Sequence, residues 1–282
     1  MRGQASFEER LRRVDGRHNA RVKELRRLFR EAMPGEHREV ALEGMHLVEE
    51  AIRSGLRVST VFFSDSTRER AHKLLPQLSA HTEALLLPDD LFASAVPTET
   101  PQGIAALVRV REFTRDELLL AKPALLLITA GLQDPGNLGT MARSGEGFGA
   151  TGLLLGEGTV SQWNWKAMRA SAGSLFRLPA LKLPIRDSIR ELRARGIRLL
   201  AASSHKGTPV WDADLRRPTA IVIGGEGAGV PKDVMAQVDE VIAIPQAATL
   251  ESLNAGIAAS VVLYEAARQR KNQSQRHRDT EE

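Results

Sequence analysis

Two hydrophobic spacings alternate along the chain. Short apolar runs bounded by glycine, proline or charge predict buried strands: "RVSTVFFS", "TEALLLP", "ALLLITAGL", "ATGLLLG", "IRLLAAS", "PTAIVIGG" and "DEVIAIPQ". Between them, apolar residues recur every three or four positions and predict helices, as in "TRERAHKLLPQL", "NLGTMARSGEGFG", "NWKAMRASAGSLFRLP", "IRDSIRELRARG" and "SLNAGIAASVVLYEAARQRK". The first 35 residues read as a basic helix ending at "MPGE", where Pro34 and Gly35 punctuate. "EVALEGMHLVEEAIRSG" carries Met45, Val48, Ala51 and Ile52 at helical spacing, with Gly55 as a C-cap. "LFASAVPTETPQGIAALVRV" reads as a turn-rich link and a strand. In "REFTRDELLLAKP" charge clusters before the apolar pattern restarts at Ala124, which marks a domain boundary. The expected organisation is a helical extension (1–35), a small α/β domain (36–115), a larger α/β domain (120–270) and a disordered tail (271–282). In the larger domain strands alternate with helices, which implies a parallel sheet covered on both faces.

Composition narrows the possibilities. A chain of 282 residues with 42% hydrophobic positions can bury a proper core. It has no cysteine, so disulfides, thiolate nucleophiles, zinc ribbons and iron–sulfur clusters are excluded. "MRGQASFEERLRR" lacks the apolar centre of a signal peptide, and the longest apolar region is broken by Lys122 and Pro123. These features read as a soluble, cytoplasmic protein with no membrane partner. The net charge is +4, and arginines cluster in "RVKELRRLFR" and "RQRKNQSQRHR". Each cluster reads equally well as a solvated face or as a phosphate-tracking surface for nucleic acid. His46 and His205 stand without matching ligands, so no metal site is expected.

Ligands of open parallel sheets bind beyond the carboxyl ends of the strands, which directs attention to "QDPGNLGTMARSG", "EGAG" and "QAATLESLN". Nucleotide motifs fail in the second loop. Gly224 and Gly229 have the separation of a P-loop, but Val230 and Pro231 replace the lysine and hydroxyl residue. The dinucleotide pattern from Gly225 and Gly227 would need a third glycine where Val230 stands. Glu226 in mid-loop would repel a polyphosphate, so the loop expects a neutral, cationic or hydroxyl-rich group.

"DPGNLGTMARSGEGFG", "IVIGGEGAGV" and "IPQAATLESLNAGIAASVVLYEA", in that order, resemble the three motifs of the SpoU/TrmH-type RNA ribose 2′-O-methyltransferases of the SPOUT superfamily. The resemblance runs from about Ala124 to Arg268 and includes "SAGSLFRLP". "LEGMHLVEEAIRSG" and "TETPQGIAALV" are similar to the RNA substrate-binding domain of two-domain members. The resemblance implies a deep trefoil knot in the C-terminal part of the sheet, S-adenosylmethionine as cofactor without a metal, and a homodimer with the site at its interface. It implies that the backbone at Gly224, Ile244 and Leu253 holds the cofactor's adenine and ribose.

By the same resemblance, Arg143 positions the target ribose-phosphate and assists deprotonation of the 2′-hydroxyl. Asn137 fixes the loop or contacts the nucleotide, Glu226 orients Arg143, Ser252 contacts RNA and Asn254 steadies the knot loop. Plainer readings stand beside these: Asn137 or Ser252 as helix N-caps, and Arg143 or Glu226 as solvated charges. Trp163 and Trp165 read as packing or dimer contacts ahead of base stacking. The chain departs from the family pattern at Gly145, where alanine is common, and at "AATLE", which is less glycine- or serine-rich than usual. The implied activity is methylation of a ribose in 23S ribosomal RNA. A transfer RNA 2′-O-methyltransferase and a catalytically silent RNA-binding protein of ribosome assembly are the alternatives.

Overall fold

The computed structural model describes residues 10–35, 37–120, 123–204, 206–247 and 251–279. The chain divides into two compact units, residues 1–112 with 163–176, and 113–162 with 177–282.

The first unit contains β1 (Leu11–Arg13), α1 (Ala20–Glu31), β2 (Glu39–Glu43), α2 (Met45–Arg53), β3 (Arg57–Ser64), α3 (Arg68–Leu74), β4 (Glu83–Leu87), α4 (Asp89–Ala95) and β5 (Ile104–Arg109). They build a five-stranded mixed sheet in the order β1-β4-β3-β5-β2. Strands β1 and β3 flank β4 in parallel, while β5 runs antiparallel to β3 and β2. Two expectations are corrected here. The described part of the expected helical extension 1–35 is not one helix: Leu11–Arg13 is an edge strand, and α1 starts only at Ala20, capped by the Asn19 side chain, while residues 1–9 lie outside the described set. Val22, Leu25, Leu28 and Phe29 of α1 are buried in one cluster with Phe62, Leu85, Phe92 and Leu107. Leaving that stripe in water would forgo about 6–12 kcal/mol of gross transfer free energy, so the helix belongs to the unit. Second, "EVALE" does not join the helix that follows. It pairs with β5, and Gly44, at φ 102°, separates it from α2. The carboxylate of Glu43 is buried because Gln102 N–H (2.8 Å) and Thr98 Oγ1 (3.1 Å) donate to it.

The second unit contains α5 (Arg115–Leu120), β6 (Leu125–Ala130), α6 (Pro135–Gly147), β7 (Gly152–Leu155), β8 (Ala180–Lys182), α8 (Ile185–Ala194), β9 (Arg198–Ser203), β10 (Thr208–Pro209), β11 (Thr219–Gly224), α9 (Lys232–Met235), β12 (Glu240–Ala243) and α10 (Ala255–Asp279), with α7 (Trp165–Ser171) assigned to the first unit. Its seven strands are all parallel, in the order β10-β12-β9-β11-β6-β7-β8. All six residues of β6 are buried, the signature of a strand covered on both faces. Leu126 and Ile128 pack with Ile185, Ile189 and Leu192 of α8, and strand alternation turns Leu125 and Leu127 to the opposite face.

The expected disordered tail is also corrected. Helix α10 continues to Asp279, and residues 280–282 lie outside the described set. The segment after Arg268 has neither glycine nor proline, so nothing in it stops a helix. Gln269 accepts from Leu215 N–H (2.9 Å), and the Arg270 guanidinium donates to the carbonyls of Leu215 (3.0 Å), Ala124 (2.9 Å), Arg217 (2.9 Å) and Pro123 (3.3 Å). Burial of that guanidinium lowers its pKa. Among the described residues no helix is long and apolar enough to cross a membrane.

Candidate functional site

Strands β9, β11 and β12 are neighbours and end at one edge of the sheet. The loops leaving them line a cavity of about 530 Å³, a volume in the range of small-molecule sites. Ser203 and Ser204 line it after β9, residues 224–229 after β11, and Ile244, Gln246 and residues 251–255 after β12. Its charged lining side chains among the described residues are Glu226 and Glu251, beside an apolar wall that includes Ile223, Ile242, Leu253 and Val262. Such a lining suits a flat uncharged group joined to a cation and disfavours a polyphosphate.

Close backbone approach explains the first two glycines of the loop. A Cβ on Gly224 would lie 2.1 Å from the Gly229 carbonyl carbon, and one on Gly225 would lie 2.2 Å from the Gly131 carbonyl oxygen. Both distances are far inside contact, so no side chain fits at either position. Gly225 N–H donates to Ala130 O (2.8 Å) and Gly229 N–H to Gly225 O (3.0 Å), which folds the loop back on itself beside the end of β6.

Glu226 is exposed but not idle. Its Oε1 accepts from Asn137 Nδ2 at 2.6 Å, and its Oε2 accepts from Gln133 N–H at 3.4 Å. Partial burial pushes its pKa up, and the hydrogen bonds from Asn137 and from the backbone at Glu226, Gln133 and Asp134 outweigh it, so the net shift is downward. The carboxylate therefore clasps the loop after β6 to the loop after β11. The expectation that Glu226 orients Arg143 is not met within the chain. Arg143 is exposed and lies outside the cavity lining, and its side chain forms no hydrogen bond or ion pair with a described residue.

The caps fall on other residues than expected. Asp134 caps α6 by accepting from Asn137 N–H (2.7 Å), with Pro135 at the first helical position, so Asn137 is a buried first-turn residue rather than the cap. Asn254, not Ser252, caps α10 by accepting from Gly256 N–H (2.9 Å) and Ile257 N–H (3.2 Å). Ser252 is exposed at the cavity rim. A Cβ on Gly256 would meet Thr140 Cβ at 3.1 Å, and Ser144 and Ser260 share a 2.6 Å hydroxyl hydrogen bond, so α6 and α10 pack closely.

Thus Gly224, Ile244, Leu253, Glu226, Ser252 and Asn254 all line one cavity, with Asn137 bound to Glu226 behind it. Sequence reading missed Ser203, Ser204 and Gln246 as lining residues. The first two stand at the carboxyl end of β9, where the strand-end rule applies equally. Gln246 opens the loop "QAATLESLN" that the same rule singles out, but nothing in its residue type marks it; its Oε1 is buried with no hydrogen-bond partner among the described residues. His205 lies outside the described residues. In the first unit, "LEGMHL" and "TETPQG" meet through Gln102, whose Oε1 accepts from Met45 N–H (3.3 Å). Trp165 packs against the apolar cluster of that unit, as a packing role requires.

Comparison with known proteins gives a consistent result. The profile described as "SpoU rRNA Methylase family" matches residues 124–264, and that of the "MRM3-like substrate binding domain" matches residues 19–106. The 23S rRNA (guanosine(2553)-2′-O)-methyltransferase RlmP of Bacillus subtilis is 32% identical over 90% of this chain and 98% of its own length. The 23S rRNA (uridine(2479)-2′-O)-methyltransferase of Streptomyces viridochromogenes is 32% identical over 82% of this chain and 83% of its own. The crystal structure of the SpoU methyltransferase AviRb from Streptomyces viridochromogenes in complex with the cofactor AdoMet superposes with a TM-score of 0.77 at 29% identity, over 90% of this chain and 99% of that one.

Proposed function

The chain belongs to the SpoU rRNA methylase family, and we propose that it methylates a ribose 2′-hydroxyl of 23S ribosomal RNA in the cytoplasm, with S-adenosylmethionine as methyl donor. The observation that carries this reading is the cavity at the carboxyl ends of β9, β11 and β12, where a loop that admits no side chain at Gly224 or Gly225 meets an apolar wall and two carboxylates. The cofactor supplies an electrophilic methyl group on a sulfonium, so the protein's own residues need only bind, orient and move one proton. The backbone at Gly224, Ile244 and Leu253 would hold its adenosine, and Glu226 and Glu251 favour its cationic end over a neutral or anionic competitor.

Arg143 would grip the phosphate next to the target ribose and help to take up the 2′-hydroxyl proton. Asn137 and Glu226 keep the two loops in register, Ser252 at the rim meets the RNA, and Asn254 holds the start of α10. Because Arg143 stands outside the cavity of its own chain, the arrangement favours a homodimer in which it serves the site of a second copy. Ile257 and Tyr264 of α10 are 52% and 56% exposed, and Phe148 packs edge-to-face on Tyr264 at 5.8 Å, an apolar face suited to such a contact. We also infer a trefoil knot around β11, which runs between β6 and β9 while the loops after β11 and β12 close on one cavity. The first unit, matched as a substrate-binding domain over residues 19–106, would present the RNA.

The test is transfer of a labelled methyl group from S-adenosylmethionine to unmodified ribosomal RNA and, separately, to unmodified transfer RNA, with the product mapped by resistance to alkaline cleavage. Label at one ribosomal 2′-hydroxyl is the expected result. Label only in transfer RNA would overturn the substrate, and no label with no cofactor binding would leave a silent RNA-binding protein.

A further inference from the structure

The first unit holds a cavity of its own, of about 490 Å³, where the start of α1 faces the start of β2. Ala20, Glu24 and Arg27 line it at helical-turn spacing with Arg21 beside them, and His37 and Glu39 line it from the strand side. Strand alternation puts Glu39 on the face of Ala41, which joins Leu25 and Leu28 of α1 in the apolar cluster. Glu39 is only 8% exposed, and its carboxylate forms no hydrogen bond or ion pair with a described residue. Its oxygens are not sealed from water, so they open into the cavity that the residue lines. Buried carboxylates are ordinarily paired, because losing water without gaining a partner is costly. One with no partner in the protein is retained where a ligand supplies the donors.

The neighbouring charges divide into occupied and free. Arg27 donates to both oxygens of Glu24 (2.6 and 3.0 Å) and to Glu31 (2.5 Å). Arg21 donates through Nε to Glu83 Oε2 at 3.2 Å, so its two terminal amines have no partner among the described residues. His37 is exposed, and its ring forms no hydrogen bond with a described residue. The cavity therefore offers an open carboxylate beside open donors. Glu39 would repel a phosphate, and Arg21 would repel a simple cation. Guanine meets both groups: its N1–H and N2 amine donate to a carboxylate, and its O6 and N7 accept from a guanidinium.

We propose that, with the first unit read as the part that presents the RNA, this cavity takes an unpaired guanine of that RNA and Glu39 specifies it. Unpaired bases are read in this manner, by hydrogen bonds to their exposed edges. Two observables then move independently. Glu39→Gln removes a buried charge from the free protein, which leaves the melting temperature equal or higher. It also removes one of the two acceptors, which weakens guanine binding. A glutamate with only a structural role would leave base preference untouched.

The experiment is fluorescence anisotropy of the full chain with end-labelled oligouridines that carry one central guanosine, inosine, adenosine or uridine, alongside an unmodified 23S ribosomal RNA transcript. The wild type should bind the guanosine oligonucleotide about tenfold more tightly than the adenosine and uridine ones, with inosine, which lacks the N2 amine, in between. Glu39→Gln should bring guanosine within about twofold of adenosine, with uridine affinity unchanged and a melting temperature no lower than that of the wild type. A wild type without guanosine preference would overturn the proposal, as would a preference that survives in Glu39→Gln, a melting temperature that falls in that variant, or binding of the transcript alone. A wild type that binds neither transcript nor oligonucleotides would instead overturn the reading of the first unit as the part that presents RNA.

Discussion

Substituting Asn137 with alanine isolates the contact that joins the two loops. The bond is short, 2.6 Å from Nδ2 to Glu226 Oε1, and Asn137 itself is 7% exposed. A hydrogen bond to a charged acceptor contributes about 1.5–3 kcal/mol, and the exposure of Glu226 places this one at the low end. Alanine improves the intrinsic helix propensity of the first turn of α6 by about half a kcal/mol, which offsets part of the loss. The helix start is untouched, because the Asp134 cap bonds the main-chain N–H of residue 137. The net expectation is about 1 kcal/mol, or a fall of about 2–4 °C in melting temperature by calorimetry. Glu226 adds a pH signature. Its pKa is lowered in the folded state, burial opposing and the Asn137 and backbone hydrogen bonds prevailing, so its contribution is present above the unfolded value and lost as pH falls through the folded one. The difference between wild type and Asn137→Ala should therefore be full at neutral pH and shrink towards zero below the ordinary carboxylate range, about pH 4. A melting temperature within about 1 °C of wild type at neutral pH, or a difference that persists unchanged in acid, would refute the clasp.

Arg143→Ala should lower kcat for ribose methylation by about a hundredfold or more and leave S-adenosylhomocysteine affinity unchanged by calorimetry; an active variant would end its assigned role. Gly225→Ala should abolish cofactor binding, because its Cβ would sit 2.2 Å from the Gly131 carbonyl oxygen and the loop must move to admit it. If Arg143 acts across a dimer, mixing these two inactive variants should restore about a quarter of wild-type activity, since half of randomly formed dimers would carry one intact site of two. Arg270→Met should destabilise the protein by about 2–4 kcal/mol in urea titration, because it removes the donor to four carbonyls; loss of less than about 1 kcal/mol would mean the C-terminal clamp is decorative.

What the sequence made legible was whatever a local pattern decides. Strands β6 and β11 are unbroken apolar runs, α8 repeats its buried residues at Ile185, Ser188, Ile189 and Leu192, and the paired glycines Gly224 and Gly225 announce a close backbone approach. What stayed hidden depended on distant partners. Strand β2 ends in glutamates, and only Thr98 and Gln102, more than fifty residues away, make the burial of Glu43 tolerable. Strands β8 and β10 are three and two residues long, too short to show a period. The pairing of Glu226 was different, because the helix period already constrained it. Asn137 and Arg143 share α6 and stand six residues apart, about 240° around its axis and about 9 Å along it. Only one of them can face the loop that carries Glu226. The motif order treats both as parts of one site, and helix geometry separates them within one chain. Asn137 bonds Glu226, which turns Arg143 outward, so a site that uses both must draw its arginine from a second copy or from a helix rotated out of its packing on α10. The Ser144–Ser260 hydrogen bond and the Gly256–Thr140 approach oppose that rotation, whereas the proposed second copy would leave the observed packing intact.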